Sequence, residues 1–135
     1  VFLSLHVNKA ASSAVSGFEV YVMDYGSLDL PEGYQEVSAQ SQLLDYAQAK
    51  YVESSKLFAQ QIVSAYDARN TGRKGTLKNA PLFTLKGATM PAVHIEIGYG
   101  SNEQDRTNMQ QEAFQQVLVA AIADGIAAFK KQEEQ

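Results

Sequence analysis

Three stretches of the chain alternate apolar and polar residues, and this pattern predicts β-strands. They cover residues 1–7, 18–23 and 92–97, and in each of them one set of alternate positions is entirely apolar. A shorter apolar run at residues 82–85 is also predicted to be a strand. Turn-forming residues, mostly glycine with serine, asparagine or proline, separate these stretches.

Two longer stretches repeat apolar residues at intervals of three and four, which predicts amphipathic helices. One helix is expected over residues 50–68, with a start as early as Ser38, and the other over residues 108–131. Asn102 is a candidate cap for a helical turn at residues 103–105. Strands mixed with long helices indicate an α/β domain, with a mostly parallel or mixed central sheet flanked by amphipathic helices. The helix over residues 50–68 lies between strands, as a crossover connection would.

Length and composition narrow the class of protein. The chain has 135 residues and a net charge of −4, which favours a single domain over residues 1–135. The absence of cysteine excludes disulfides, thiol nucleophiles and cysteine-ligated metal sites. The acidic balance argues against a general nucleic-acid binder, and no uninterrupted apolar run approaches the roughly 20 residues of a transmembrane segment.

Charge is unevenly distributed along the chain. Residues 68–95 contain no acid but carry five cations, which are Arg69, Arg73, Lys74, Lys78 and Lys86. Such a block is either a solvated face or a cationic rim that attracts an anionic substrate.

Two strands end in residues that could carry chemistry. His6 lies near the carboxyl end of the first strand, where ligands gather in open α/β sheets; it is either a hydrogen-bonded structural histidine or a functional group. Glu96 lies in an otherwise apolar strand, where a lone carboxylate is costly unless it is paired. It could act as a general base, face a metal-bound water, or form a salt bridge with a lysine or arginine. His94 shares a strand face with Glu96, so the two could interact, or His94 could pack in the core.

Five stretches of the chain form an ordered set of motifs, and they are FLSLHVN at residues 2–8, GFEVY at 17–21, SKLFA at 55–59, KNAPLFTLK at 78–86, and MPAVHIEIGY at 90–99 with Ser101 and Asn102. In this order they resemble motifs of the zinc-dependent N-acetylmuramoyl-L-alanine amidases of bacterial cell walls. The last stretch is the most specific of the set.

The resemblance implies an activity and a site. His6 matches a zinc ligand of the family, Glu96 matches its catalytic glutamate, and Asn8 would orient the site or contact substrate. One zinc per domain would activate water to hydrolyse the amide between N-acetylmuramic acid and L-alanine in peptidoglycan, with Glu96 as general base. The implied location is the bacterial cell envelope, and the implied partners are peptidoglycan or muropeptides, with a regulatory protein as a further candidate.

The chain also departs from the family pattern. The family's other two zinc ligands, a histidine and a glutamate, are expected upstream of residue 1. The N-terminal portion of the domain is therefore expected to be missing, and this chain alone to be inactive. His94 stands where the family has an apolar residue, and residues 24–50 have no clear counterpart, so we interpret them as an insertion or regulatory segment. The alternative to an enzyme is a non-catalytic amidase-like domain that binds muropeptide or a protein partner.

Overall fold

The computed structural model describes residues 1–24, 47–69 and 72–134. Four strands form a sheet, and they are β1 (Phe2–Asn8), β2 (Glu19–Met23), β3 (Thr76–Ala80) and β4 (Ala92–Tyr99). Their order across the sheet is β1-β4-β2-β3. The strands β1 and β4 are parallel, as are β2 and β3, whereas β2 and β4 are antiparallel. The sheet is therefore mixed, and the α/β class predicted from the sequence is confirmed.

In the part of the chain that the structure describes, three α-helices with defined bounds accompany the sheet, namely α1 (Val52–Asp67), α2 (Glu103–Gln110) and α3 (Glu112–Glu133). The helix α1 lies between the parallel strands β2 and β3 along the chain, so the predicted crossover is confirmed. The predicted helix over residues 108–131 is in fact two helices, because Gln111 adopts an extended conformation between α2 and α3. The predicted cap is present, since the Asn102 side chain accepts a hydrogen bond from the Asp105 backbone N–H.

The predicted strand at residues 82–85 is wrong. Residues Phe83–Leu85 form a single 3₁₀ turn, in which only Leu85 is buried and Phe83 is 88% exposed. Pro81 precedes this turn and has no N–H to donate to a sheet. The strand in this region is β3, which the sequence did not reveal because Lys78 and Asn79 interrupt its apolar character.

Residues 24–50, interpreted from the sequence as an insertion or regulatory segment, fall largely outside the described residues, and so does the proposed helix start near Ser38. The described end of this segment is tied to the 3₁₀ turn through Gln48. The buried Gln48 side chain donates to the Leu85 carbonyl and accepts a hydrogen bond from the Gly87 N–H at 2.8 Å.

The main core lies between one face of the sheet and the helices. Alternate residues of β2 and β4 point to this face, and the side chains of α1 and α3 complete the cluster. Its fully or nearly fully buried members include Val20, Val22, Val93 and Ile95 from the sheet, Phe58, Ala59, Ile62 and Tyr66 from α1, and Leu118, Ala121 and Phe129 from α3. The opposite set of alternate residues is thereby left on the other face of the sheet.

In the part of the chain that the structure describes, α3 is long and apolar enough to cross a membrane by length and composition. A core helix of a globular protein meets the same two criteria. Leu118, Ala121 and Phe129 of α3 pack into the core against α1. The expectation from the sequence that the chain has no transmembrane segment stays a prediction.

The helices α1 and α3 approach most closely at Gly125. A Cβ atom at this position would lie 2.7 Å from the Cα atom of Ile62, closer than real Cβ contacts allow. The absence of a side chain at Gly125 therefore lets the two helix backbones come together.

We expect Gly125→Ala to destabilise the fold by about 1–3 kcal/mol, because the added methyl group overpacks the contact with Ile62. This sign opposes the intrinsic preference of a helix for alanine over glycine, which is worth about 1 kcal/mol. Urea denaturation of the intact protein measures the change. Ala127→Ser on the exposed side of α3 is the control, with an expected change within about 0.5 kcal/mol. An equal or higher stability of Gly125→Ala would contradict the close approach.

Candidate functional site

The face of the sheet opposite the core carries a row of polar side chains. Strand register sets this row, since His6 of β1 lies beside Glu96 of β4, and Glu96 lies beside Glu19 of β2. One step along the strands, Ser4, His94 and Tyr21 are neighbours in the same way. We call these six residues the polar row. They lie on one face because side chains alternate between the two faces of a strand.

Glu96 is the member of the polar row whose buried side chain has an unsatisfied hydrogen-bond acceptor among the described residues. Its residue is 8% exposed, and its Oε1 atom lies 2.9 Å from Nε2 of His94. Its Oε2 atom is buried and has no hydrogen-bond partner among the described residues. Burying a carboxylate oxygen without a hydrogen-bond donor lowers the stability of the fold. A ligand or water that donates a hydrogen bond to Oε2 would offset this cost.

His94 is held on both ring nitrogens. Its Nε2 atom faces Glu96, and its Nδ1 atom lies 3.0 Å from the hydroxyl oxygen of Thr84. The interaction between His94 and Glu96, which the sequence left open, is therefore present in the structure. A salt bridge from Glu96 to a lysine or arginine, the other option from the sequence, is not found in the described parts of the chain.

His6 is exposed and stacks on His94, with 4.4 Å between the ring centroids and 27° between the ring planes. Its Nε2 atom lies 2.8 Å from the hydroxyl oxygen of Ser4. The two histidines and Glu96 therefore form one contiguous group across β1 and β4.

Glu19 is a second buried carboxylate beside Glu96, but each of its oxygens has a partner. Lys78 Nζ lies 2.5 Å from Oε1, while the hydroxyl groups of Tyr21 and Tyr99 donate to Oε2 at 2.6 and 2.9 Å. Burial alone would raise the pKa of Glu19, but hydrogen bonds from Lys78, Tyr21 and Tyr99 outweigh it and hold the pKa below its usual value. Burial and the adjacent Glu19 charge raise the pKa of Tyr99 to about 12, and they also raise the pKa of Tyr21.

Asn8 lies at the end of β1, where the register with β4 becomes irregular after His6. Its side-chain oxygen accepts a hydrogen bond from the Lys9 N–H at 2.8 Å. Its predicted role in orienting the site or contacting substrate stays a prediction.

Asp105 fixes the end of β4 next to the polar row. The buried carboxylate accepts hydrogen bonds from the backbone N–H groups of Gly17 and Tyr99, each at 2.9 Å, and pairs with Arg73 at 2.6 Å. This one side chain connects the loop before β2, the end of β4 and the start of α2. The sequence did not predict this role of Asp105, because an acid in the first turn of a helix is common and carries no sign of distant partners.

The described residues contain no group of three histidine, cysteine, aspartate or glutamate side chains that could hold a metal ion. They do supply part of such a site. His6 is the more suitable ligand of the two histidines, because both ring nitrogens of His94 are occupied by hydrogen bonds. The unpartnered Glu96 oxygen suits a hydrogen bond from a metal-bound water. These donors are compatible with part of a zinc centre, but they are fewer than the three protein ligands that a catalytic zinc site uses.

Comparison with known proteins identifies the family. The family model for N-acetylmuramoyl-L-alanine amidase matches residues 1–128. The chain belongs to this family. Among curated proteins, it is 25% identical over 129 residues to the N-acetylmuramoyl-L-alanine amidase LytC of Bacillus subtilis, covering 96% of this chain and 21% of LytC.

Two solved amidase structures have the same fold as this chain. The amidase AmiC2 of Nostoc punctiforme superposes with a TM-score of 0.69 at 20% identity, over 96% of this chain and 57% of AmiC2. The CwlD amidase of Clostridioides difficile, solved in complex with the GerS lipoprotein, gives a TM-score of 0.65 at 20% identity, over 96% and 54% of the two chains. The chain thus spans little more than half the length of these structures and about a fifth of LytC.

For this amidase-family chain we expect the hydrogen bonds of Glu19 with Lys78, Tyr21 and Tyr99 to stabilise the fold in a pH-dependent way. Because the folded pKa of Glu19 is lowered, its contribution is fully present above the unfolded value of about 4.3 and is lost as the pH falls through the folded value. The wild type should therefore be more stable than Glu19→Gln by about 1–3 kcal/mol near pH 7, with a smaller difference below about pH 4.

Urea denaturation at pH 7, 5 and 3.5 measures this difference. Glu53→Gln is the control, because Glu53 is 84% exposed and pairs only at the surface with Lys56. A difference between wild type and Glu19→Gln that grows on acidification would contradict the assigned direction.

Proposed function

We propose that this chain carries part of the catalytic centre of a zinc-dependent amidase that cleaves the bond between N-acetylmuramic acid and L-alanine in peptidoglycan. Family membership supports the reaction class. The observation that supports the catalytic centre is a buried Glu96 oxygen that has no hydrogen-bond partner within the described ranges and lies next to the exposed His6 imidazole on the same face of the sheet.

His6 is proposed as a zinc ligand through a ring nitrogen, and the remaining ligands come from outside the described residues. Bound zinc would lower the pKa of a coordinated water and polarise the amide carbonyl. The position of His6 on the edge strand β1 leaves its side chain accessible to ligands from a neighbouring segment.

Glu96 is proposed as the general base and then the general acid. Its free Oε2 atom takes a proton from the attacking water and delivers it to the nitrogen of L-alanine as the C–N bond breaks. Removing the proton from water makes it a better nucleophile, and protonating the nitrogen makes the amine a better leaving group.

Lys86 is proposed to attract the carboxylates of the stem peptide. Four of the five cations at residues 68–95 form ion pairs with acids, and these are Arg69, Arg73, Lys74 and Lys78. Lys86 has no ion pair within the described ranges and lines a shallow pocket of about 220 Å³ with Phe2, Thr84 and Met90. Thr84 also contacts His94, so this pocket lies close to the polar row.

The setting follows from the proposed reaction. Peptidoglycan or a muropeptide is the proposed partner, and the bacterial cell envelope is the proposed location. The CwlD relative is described in complex with a lipoprotein, which supports the proposal that a regulatory protein binds this chain as well.

We expect Glu96→Gln to lower hydrolysis of a muropeptide by about 10²–10⁴-fold or more, because the amide cannot accept the proton from water. Zinc content, measured by plasma mass spectrometry of the intact protein, should stay at about one ion per domain. Glu133→Gln, an exposed position at the end of α3, is the matched control and should keep full activity. Unchanged hydrolysis by Glu96→Gln would exclude the proposed mechanism.

We expect His6→Ala to lose both bound zinc and hydrolysis, whereas Ser4→Ala should retain most of the metal. The reason is that Ser4 only hydrogen-bonds the ring that is proposed to hold zinc. If the wild-type intact protein binds no stoichiometric zinc and releases no peptide, the alternative of a non-catalytic domain that binds muropeptide or a partner replaces the enzyme.

A further inference from the structure

Three side chains from two segments form a continuous hydrogen-bonded chain that ends on Glu96. Thr84 comes from the 3₁₀ turn, and His94 and Glu96 come from β4. The hydroxyl oxygen of Thr84 lies 3.0 Å from Nδ1 of His94, and Nε2 of His94 lies 2.9 Å from Oε1 of Glu96.

The chemistry of these groups determines the direction of the hydrogen bonds. An ionised carboxylate can only accept, so the proton between His94 and Glu96 belongs to Nε2 of the histidine. In the neutral ring Nδ1 then accepts, and the Thr84 hydroxyl is its donor. The chain therefore runs from the Thr84 hydroxyl through His94 to Glu96.

The His94 ring is also fixed in orientation. It is 5% exposed, stacks on His6 at 4.4 Å, and meets the edge of the Tyr21 ring at 6.0 Å and 78°. Contacts on two sides together with hydrogen bonds at both nitrogens leave the ring little freedom to flip or rotate.

We propose that His94 is a positioning residue that binds Oε1 of Glu96 and so leaves Oε2 as the oxygen that handles protons. This inference rests on the proposed function of Glu96. The terminal torsion of a glutamate is broad, and its two oxygens are otherwise equivalent. The Nε2–H donor removes that equivalence, since it occupies one oxygen and holds the plane of the carboxylate.

The first test is independent of activity and reads the tautomer of His94. In metal-free intact protein labelled with ¹⁵N-histidine, NMR at pH 8 should show His94 as the neutral Nε2–H form with a slowly exchanging Hε2 proton. Thr84→Val should shift the Nδ1 resonance, whereas Thr84→Ser, which retains the hydroxyl, should not. An Nδ1–H tautomer, or a rapidly exchanging Hε2, would overturn the proposal.

The second test compares two replacements of His94 in the zinc-loaded intact protein. Both His94→Gln and His94→Leu lose the stacking on His6, but only glutamine can donate an N–H to Glu96. We expect His94→Leu to lower kcat by about 10–100-fold, with KM within about twofold of the wild-type value and zinc retained. His94→Gln should recover kcat to within about fivefold of wild type.

The outcomes separate this inference from the proposed function. An active wild type with an inactive Glu96→Gln, but equal kcat for His94→Leu and His94→Gln, would overturn the role of His94 and leave Glu96 in place. If the wild type shows no hydrolysis with zinc bound, the proposed function fails. The His94 tautomer and the exchange of Hε2 then decide by themselves whether the hydrogen-bonded chain to Glu96 exists.

Discussion

Two buried carboxylates lie side by side on one face of this sheet, and the site depends on how each carboxylate is hydrogen-bonded. Glu19 and Glu96 are register partners on antiparallel strands. Glu19 receives a lysine and two phenols, so both of its oxygens are satisfied. Among the residues that the structure describes, Glu96 is hydrogen-bonded by the His94 imidazole alone, and its Oε2 atom has no partner. Because a buried, unsatisfied carboxylate is costly, this asymmetry is expected at a functional position rather than in a purely structural ion pair.

Apolar packing on the opposite face of the sheet stabilises the fold and so offsets the cost of the buried Glu96 carboxylate. Val20, Val93 and Ile95 alternate with the polar row and pack under α1, and α3 in turn packs closely on α1 at Gly125. Any slip in strand register by one residue would exchange the core face with the polar face. The apolar packing therefore determines which side chains contact Glu96. Asp105 accepts a hydrogen bond from the Tyr99 N–H and so holds the end of β4, the strand that carries Glu96.

Local patterns in the sequence predicted the strands that carry His6 and Glu96, the crossover helix and the cap at Asn102. They did not predict which strands are neighbours, because the pairing of β1 with β4 joins residues that are far apart in sequence. For the same reason the contacts of Glu19 with Lys78 and of His94 with Thr84 could not be derived from spacing. The strand β3 was missed since its polar residues Lys78 and Asn79 obscure the apolar pattern, although Lys78 proves to be the partner of a buried acid. His94 gave a usable signal, as a polar residue on the same strand face as Glu96.

The most direct test of the central claim is a crystal structure of the intact protein loaded with zinc, with the metal located by anomalous scattering. We expect zinc bound to a ring nitrogen of His6, a coordinated water within hydrogen-bond distance of Glu96 Oε2, and His94 still hydrogen-bonded to Oε1. Zinc coordinated by His94, or a Glu96 carboxylate with both oxygens satisfied by protein groups, would contradict it.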